Sequence, residues 1–156
     1  MKINIEHQLQ KYTSFQVPCI ADECITIENE QDLLDALSQK KNERIYILGW
    51  GSNTLFTNSS FQWTILKNEI FGKEVLETNK DYDLILVWWG ENRDQFVKRT
   101  IEEWYYWLEN LISIPWTVGA APIQNIWAYG VEAGNHIHEV HAIKLDAQKK
   151  NIFSFE

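Results

Sequence analysis

Strands and helices follow one another along this 156-residue chain without strict alternation, which predicts an α+β fold. Three observations carry that expectation. Cys24–Ile27 is a short β-branched run that leads directly into a capped helix. Ile45–Leu48 is an apolar run that reads as a strand buried on both faces. Beyond Gly72, two strand-like segments, Glu74–Glu77 and Leu84–Val87, precede a second capped helix instead of alternating with helices.

The first helix begins at Asn29, an N-cap residue with Asp32 three positions later, where a negative charge suits the helix dipole. Leu33, Leu34 and Leu37 recur at helical spacing, and Lys40, Lys41 and Asn42 close it. Trp63–Lys67 reads as a further strand. Asn92 caps the second helix, with Gln95 at the capping-box position. That helix is expected to run to about Tyr105, with Val97, Ile101 and Trp104 on one face. Leu108 to Asn135 has little regular patterning but is too apolar for disorder, which marks it as a functional stretch. Val140–Leu145 and Ile152–Phe155 form a hairpin.

Composition narrows the function classes. Apolar residues make up 45% and charged residues 23%, as in a globular protein that buries roughly 70% of its unfolded surface. No apolar stretch approaches the ~20 residues that span a bilayer. The N-terminus lacks the apolar core of a signal peptide, so a cytoplasmic location is expected. A net charge of −8 without a basic block argues against nucleic acid as a partner. Cys19 and Cys24 have no nearby histidine and read as reduced thiols packed beside a strand. His136, His138 and His141 lack a suitably spaced carboxylate or cysteine and read as exposed strand histidines instead of a metal site. Glu102–Glu103 is most simply a solvated helix face.

Two segments point to a ligand. In Leu48–Gly49–Trp50–Gly51–Ser52–Asn53, glycines and small polar residues after a strand leave backbone N–H groups free to line an anion pocket. Thr54 stands where a dinucleotide fingerprint has its last glycine and no helix pattern follows, so for this segment taken alone a tight turn without a ligand is the better account. The second segment runs from Ile114 to Gly130 and holds Pro122–Ile123–Gln124–Asn125–Ile126 followed by Ala128–Tyr129–Gly130.

With these residues the chain resembles the UDP-N-acetylenolpyruvoylglucosamine reductase family. Ile114–Gly130 looks like that family's flavin-binding stretch and Leu48–Phe56 like its first flavin loop. Tyr12–Val17 is similar to its N-terminal entry, although Tyr12 and Ser14 depart from the usual residues; Gly90–Asn92 and Leu108–Leu111 also match. The resemblance implies an FAD-binding fold of the vanillyl-alcohol-oxidase type, divided into subdomains at 1–70 and 71–156. It places FAD on Leu48, Gly49, Trp50, Gly51, Ser52, Asn53 and Leu55 of the first loop. From the second segment it adds Ile114, Pro115, Trp116, Gly119, Ala120, Ile123, Gln124, Asn125, Trp127, Ala128, Tyr129 and Gly130.

NADPH as hydride donor, a UDP-sugar substrate and a monomeric protein are further implications. The family's catalytic arginine, serine and glutamate lie beyond Glu156, so no catalytic residue carries over and the chain is expected to be an inactive N-terminal fragment. Another FAD enzyme of the same fold, and a tryptophan-rich carbohydrate-binding domain, are the alternatives.

One imbalance stands out. The chain has 8 Trp and 7 Gly, where average usage gives about 11 Gly. Trp50, Trp88, Trp107, Trp116 and Trp127 fall where the family usually has glycine. Trp63 and Trp104 fall where glycine is common, and Trp89 where a small residue is expected; Arg93 stands where the family often has a tryptophan. The pattern is what results if UGA codons that encode glycine are read as tryptophan. Packing of Trp104 beside Val97 and Ile101 would account for one of the eight.

Overall fold

The computed structural model describes residues 1–40, 43–106, 108–124, 126–145 and 149–154, the last stretch through its backbone alone. Lys41, Asn42, Trp107, Asn125 and Phe155, which carry expectations above, lie outside the described residues.

The first half is built on a four-stranded sheet. Strand β1 (Lys2–Gln8) is followed by a 3-10 turn at Gln10–Tyr12, β2 (Ile20–Ile27), helix α1 (Glu30–Gln39), β3 (Ile45–Leu48) and β4 (Ser60–Asn68). Spatial order is β1-β2-β4-β3, with β1 antiparallel to β2 and the other two pairs parallel. Alternation along β2 and β4 sorts side chains to two faces. Cys24 and its neighbour Ile65 pack with Leu9, Cys19, Ala21, Leu48 and Phe56. Ile25 and Leu66 pack on the opposite side with Leu33, Ala36 and Leu37 of α1. Both cysteines are buried free thiols. Burial pushes the Cys24 thiol up to about 11, so it stays protonated and unreactive near neutrality.

The start of α1 follows the sequence signal: the Asp32 amide donates to Asn29 Oδ1 at 2.8 Å. β3 has the expected bounds but is not buried on both faces. It is the edge strand of its sheet, Ile47 is 37% exposed, and only Leu48 is fully enclosed.

The second half holds the hairpin β5 (Lys73–Thr78) and β6 (Asp83–Val87), then helix α2 (Arg93–Glu102), then the one-turn helix α3 (Ala121–Gln124) among 3-10 turns. Hairpin β7 (Trp127–Ala128) and β8 (Val131–Glu132) and hairpin β9 (Glu139–Lys144) and β10 (Lys149–Ser154) complete it. The stretch with little sequence patterning has its own small core of Leu111, Ala121, Ile126 and Ala133.

α2 is capped as expected, with Asn92 Oδ1 accepting from the Gln95 amide at 2.8 Å. It stops at Glu102 instead of reaching Tyr105, because Trp104 has φ = +68° and turns the chain out of the helix. Trp104 is 79% exposed and does not share the buried face of Val97. The histidines also depart from the strand expectation. His136 ends a 3-10 turn at Ala133–His136 and His138 precedes β9; only His141 lies in a strand, where it meets Glu139 Oε1 at 2.6 Å. Among the described residues no group of three or more His, Cys, Asp or Glu gathers as a metal site. Nor is any helix among them long and apolar enough to cross a membrane. Glu102 is exposed, whereas Glu103 pairs with Lys73 at 2.6 Å.

Candidate functional site

β3 ends at Leu48, whose side chain is buried under the sheet and fixes where the first loop starts. Gly51 then adopts φ = +67°, and a Cβ there would lie 1.9 Å from the Tyr12 carbonyl oxygen. Only glycine fits, on both conformation and space. The close approach docks the Gln10–Tyr12 turn against the loop and so joins the N-terminal segment to the first loop. The Thr54 amide closes the loop onto the Gly51 carbonyl at 3.2 Å. The amides of Gly51, Ser52 and Asn53 donate to no acceptor among the described residues, which leaves them available to an anion.

Beneath the loop lies a buried lysine that sequence reasoning missed. Lys67 is 6% exposed, donates from Nζ to the Gly49 carbonyl at 2.8 Å and sits 5.6 Å from the centre of the Tyr12 ring. Burial lowers its pKa, with Glu69 opposing. Strand alternation gave no sign of it, since a lysine in β4 reads as outward-facing.

The second stretch meets the first at Gly49, whose pro-Cβ position is 3.6 Å from Thr117 Cγ2. Residues 116–119 run alongside 89–93. The Arg93 amide donates to the Trp116 carbonyl at 3.2 Å, Val118 to Glu91 at 2.9 Å and Gly119 to Trp89 at 3.2 Å. Gly119 permits this contact, for a Cβ there would be 2.9 Å from Trp89 Cα. Arg93 is 3% exposed and donates from Nη2 to the Ile114 carbonyl, while its Nε and Nη1 have no partner among the described residues. Its guanidinium carbon is 5.9 Å from the centre of the Trp116 ring. Arg93 and Thr117 were absent from the sequence-predicted set. The only signal for Arg93 was its departure from the expected tryptophan.

The remaining predicted residues are more dispersed. Pro115, Ile123, Gln124, Trp127, Tyr129 and Gly130 are exposed, with Ile123 at 81% and Tyr129 at 89%. Tyr129 and Gly130, with φ of +50° and +82°, form the tip of the β7–β8 hairpin, and Asn110 Nδ2 donates to the Tyr129 carbonyl at 3.3 Å. Ile114, Trp116, Gly119, Ala120 and Ala128 are half-buried; in the first loop Leu55, Trp50 and Asn53 are exposed. None of the seven described tryptophans is fully buried; of the exposed ones, Trp63 lies in β4 and Trp127 in β7, while Trp50 follows β3 and Trp104 follows α2.

The sequence profile of the FAD binding domain family matches residues 21–148. The chain belongs to that family. Among its relatives, the UDP-N-acetylenolpyruvoylglucosamine reductase of Bdellovibrio bacteriovorus is 38% identical over 99% of this chain and 46% of its own length. That of Aliivibrio fischeri is 39% identical over 94% of this chain and 42% of its own. The chain thus spans less than half the length of these relatives. The crystal structure of the Thermus caldophilus UDP-N-acetylenolpyruvylglucosamine reductase superposes with a TM-score of 0.73 over 98% of this chain and 52% of that one, at 19% identity. At that identity the likeness establishes the fold, which is the α+β fold of this FAD binding domain. The resemblance read from the sequence holds across nearly its whole length.

The cofactor of the family is FAD. The residues present fit it in two respects: the first-loop amides of Gly51, Ser52 and Asn53 donate to no acceptor among the described residues, and Arg93 has buried donors without acceptors among them. The Trp50 indole is exposed, and that of Trp116 is half-buried beside the Arg93 guanidinium.

Proposed function

We propose that this chain is the FAD-binding part of a reductase that converts UDP-N-acetylglucosamine enolpyruvate to UDP-N-acetylmuramate in peptidoglycan synthesis, using NADPH. The observation that carries the proposal is the alignment of 99% of the chain with a reductase of that name at 38% identity. In this reading the protein is cytoplasmic and monomeric, and the subdomain boundary falls at residue 70. The four-stranded sheet lies wholly before that residue and the hairpins wholly after it.

The amides of Gly51, Ser52 and Asn53 would receive the pyrophosphate, supported by the Lys67 charge behind Gly49. The 114–120 strip would face the flavin, its position set by the backbone bonds to residues 89–93. Bound FAD supplies hydride acceptance from NADPH and delivery to the enolpyruvyl double bond. This chain's residues bind and orient it; none of them is assigned to the proton transfer.

The test is the protein expressed from the gene with whatever in-frame sequence follows it, once as written and once with glycine at the eight tryptophan positions. The glycine protein is expected to purify yellow and to oxidise NADPH when given the enolpyruvyl UDP-sugar. The protein as written is expected to hold FAD poorly, because indoles at 50 and 116 fill space the cofactor needs. A colourless glycine protein that gains no flavin on reconstitution overturns the proposal.

A further inference from the structure

Arg93 is the unusual group in this fold. An arginine that is 3% exposed has removed its charge and its five donors from water, and such a group is normally paired. Among the described residues only Nη2 has an acceptor, the Ile114 carbonyl, and both Nε and Nη1 are buried without one. Orphaned donors of this kind carry the full desolvation cost of the group, and more when charged. Asp94, next in sequence, acts on this charge only through space, for its carboxylate bonds Lys98 at 2.8 Å and the Ser113 amide at 2.7 Å. The group is also fixed in place. Its own backbone N–H is bonded to the Trp116 carbonyl and its neighbour Asn92 bridges to Thr117, whose Cγ2 lies 3.6 Å from where a Cβ of Gly49 in the first loop would be. The backbone that carries Arg93 is therefore bonded to the segment that approaches the first loop.

We propose that Arg93 is an anchoring residue for the cofactor, its free guanidinium N–H groups taking an acceptor oxygen of bound FAD. This rests on the FAD reading above and adds to it a residue that the sequence did not single out. Two parts of FAD offer acceptors of this chemistry, the phosphate oxygens and the carbonyl oxygens of the flavin ring. The Trp116 indole lies over the guanidinium; glycine at 116 opens that side of Arg93 and enlarges the effect.

The experiment compares Arg93, Arg93→Lys and Arg93→Met, both in the chain as written and in its counterpart with glycine at the eight tryptophan positions. Thermal midpoints are recorded alone and with FAD, ADP or riboflavin, and FAD affinity is taken from flavin fluorescence. Removing an unpaired buried charge leaves the ligand-free protein as stable as before or more so. It weakens FAD binding about 10- to 100-fold, the span carried by hydrogen bonds to a charged group. Arg93→Lys keeps the charge and recovers part of the FAD-induced rise. Loss of the ADP effect with riboflavin unchanged assigns the anchor to phosphate; the reverse assigns it to the ring, and either outcome supports the proposal.

A large fall in the ligand-free midpoint of Arg93→Met, with the FAD-induced rise intact, makes Arg93 a structural tie to Ile114 and overturns it. If neither parent protein responds to FAD, the cofactor reading itself fails and takes the proposal with it. That result is distinct from a parent that binds FAD and a Met variant that binds it equally well, which overturns the Arg93 inference alone.

Discussion

The Tyr105 amide donates to the Thr100 carbonyl at 2.8 Å, and the Trp104 amide to the Ile101 carbonyl at 3.1 Å. These two bonds define a Schellman ending for α2, with Trp104 at the left-handed position that glycine ordinarily fills. A side chain there costs about 1–2 kcal/mol relative to glycine. The indole recovers little of this, being 79% exposed with an edge contact to Tyr106. Trp104→Gly is therefore expected to stabilise the chain by about 1 kcal/mol, raising Tm by about 2–4 °C. Removing a large aromatic residue usually has the opposite sign. A lower midpoint in calorimetry would show that the indole contributes packing.

The reverse substitution is severe at Gly51. Its φ of +67° and the Tyr12 carbonyl oxygen 1.9 Å from a would-be Cβ mean that Gly51→Ala adds a left-handed penalty to a backbone clash. The combined cost is about 2–5 kcal/mol. The expected damage is local, with faster amide exchange in residues 9–13 and 48–54, which Gly51 holds together. Unchanged exchange and an unchanged urea midpoint would contradict the docking of the N-terminal turn on the first loop.

Asp32 gives the fold a pH dependence of defined sign. The Met1 ammonium at 2.8 Å, and the Glu28 amide donating to Oδ2 at 3.1 Å, hold its carboxyl below the ordinary carboxylate range. A depressed folded-state pKa means that the stabilisation is complete above the ordinary aspartate value and lost as pH falls through the lowered one. Asp32 itself is largely buried, but its partner Met1 is exposed, and solvent screening there limits the effect to about 1 kcal/mol or less. Asp32→Asn should reduce the urea-derived stability by that amount at pH 7 and not at all at pH 2. A difference of equal size at both pH values would assign the effect to packing and not to charge.

The parts of the fold that were legible in the sequence are those with local causes. Asn29 and Asn92 announced α1 and α2 because a capping side chain bonds an amide three residues away. β1 gave no signal, since Ile3 and Ile5 of this edge strand are exposed and Glu6, at φ = +49°, interrupts it. Arg93, Lys67 and Thr117 were illegible as site residues for a different reason. Each is made special by burial against chain far away in sequence, and neither periodicity nor spacing encodes that. Tyr129–Gly130 did carry a local cue, a turn pair followed by Val131, which the functional reading of that stretch obscured.

The last prediction concerns the gene. At position 104 the backbone takes the conformation glycine favours, Trp50 lies between Gly49 and Gly51 in the tight first loop, and Trp116 covers a buried arginine that lacks acceptors. No described tryptophan sits in the core, although indoles are on average well buried. Independent substitutions would be expected to scatter over many kinds of position, and to include some at core sites that accept a large ring. A single codon reassigned in translation, by contrast, marks the positions of one amino acid wherever they fall. All eight tryptophan positions are therefore expected to be TGA in the DNA. Adding them to the seven glycines present gives fifteen and leaves no tryptophan. Mass spectrometry of the native protein should show each site lighter by the difference between tryptophan and glycine. Even a few TGG codons among the eight, or an intact tryptophan-containing peptide, would show that the indoles are real. The indoles at positions 50 and 116 would then be a property of the protein itself.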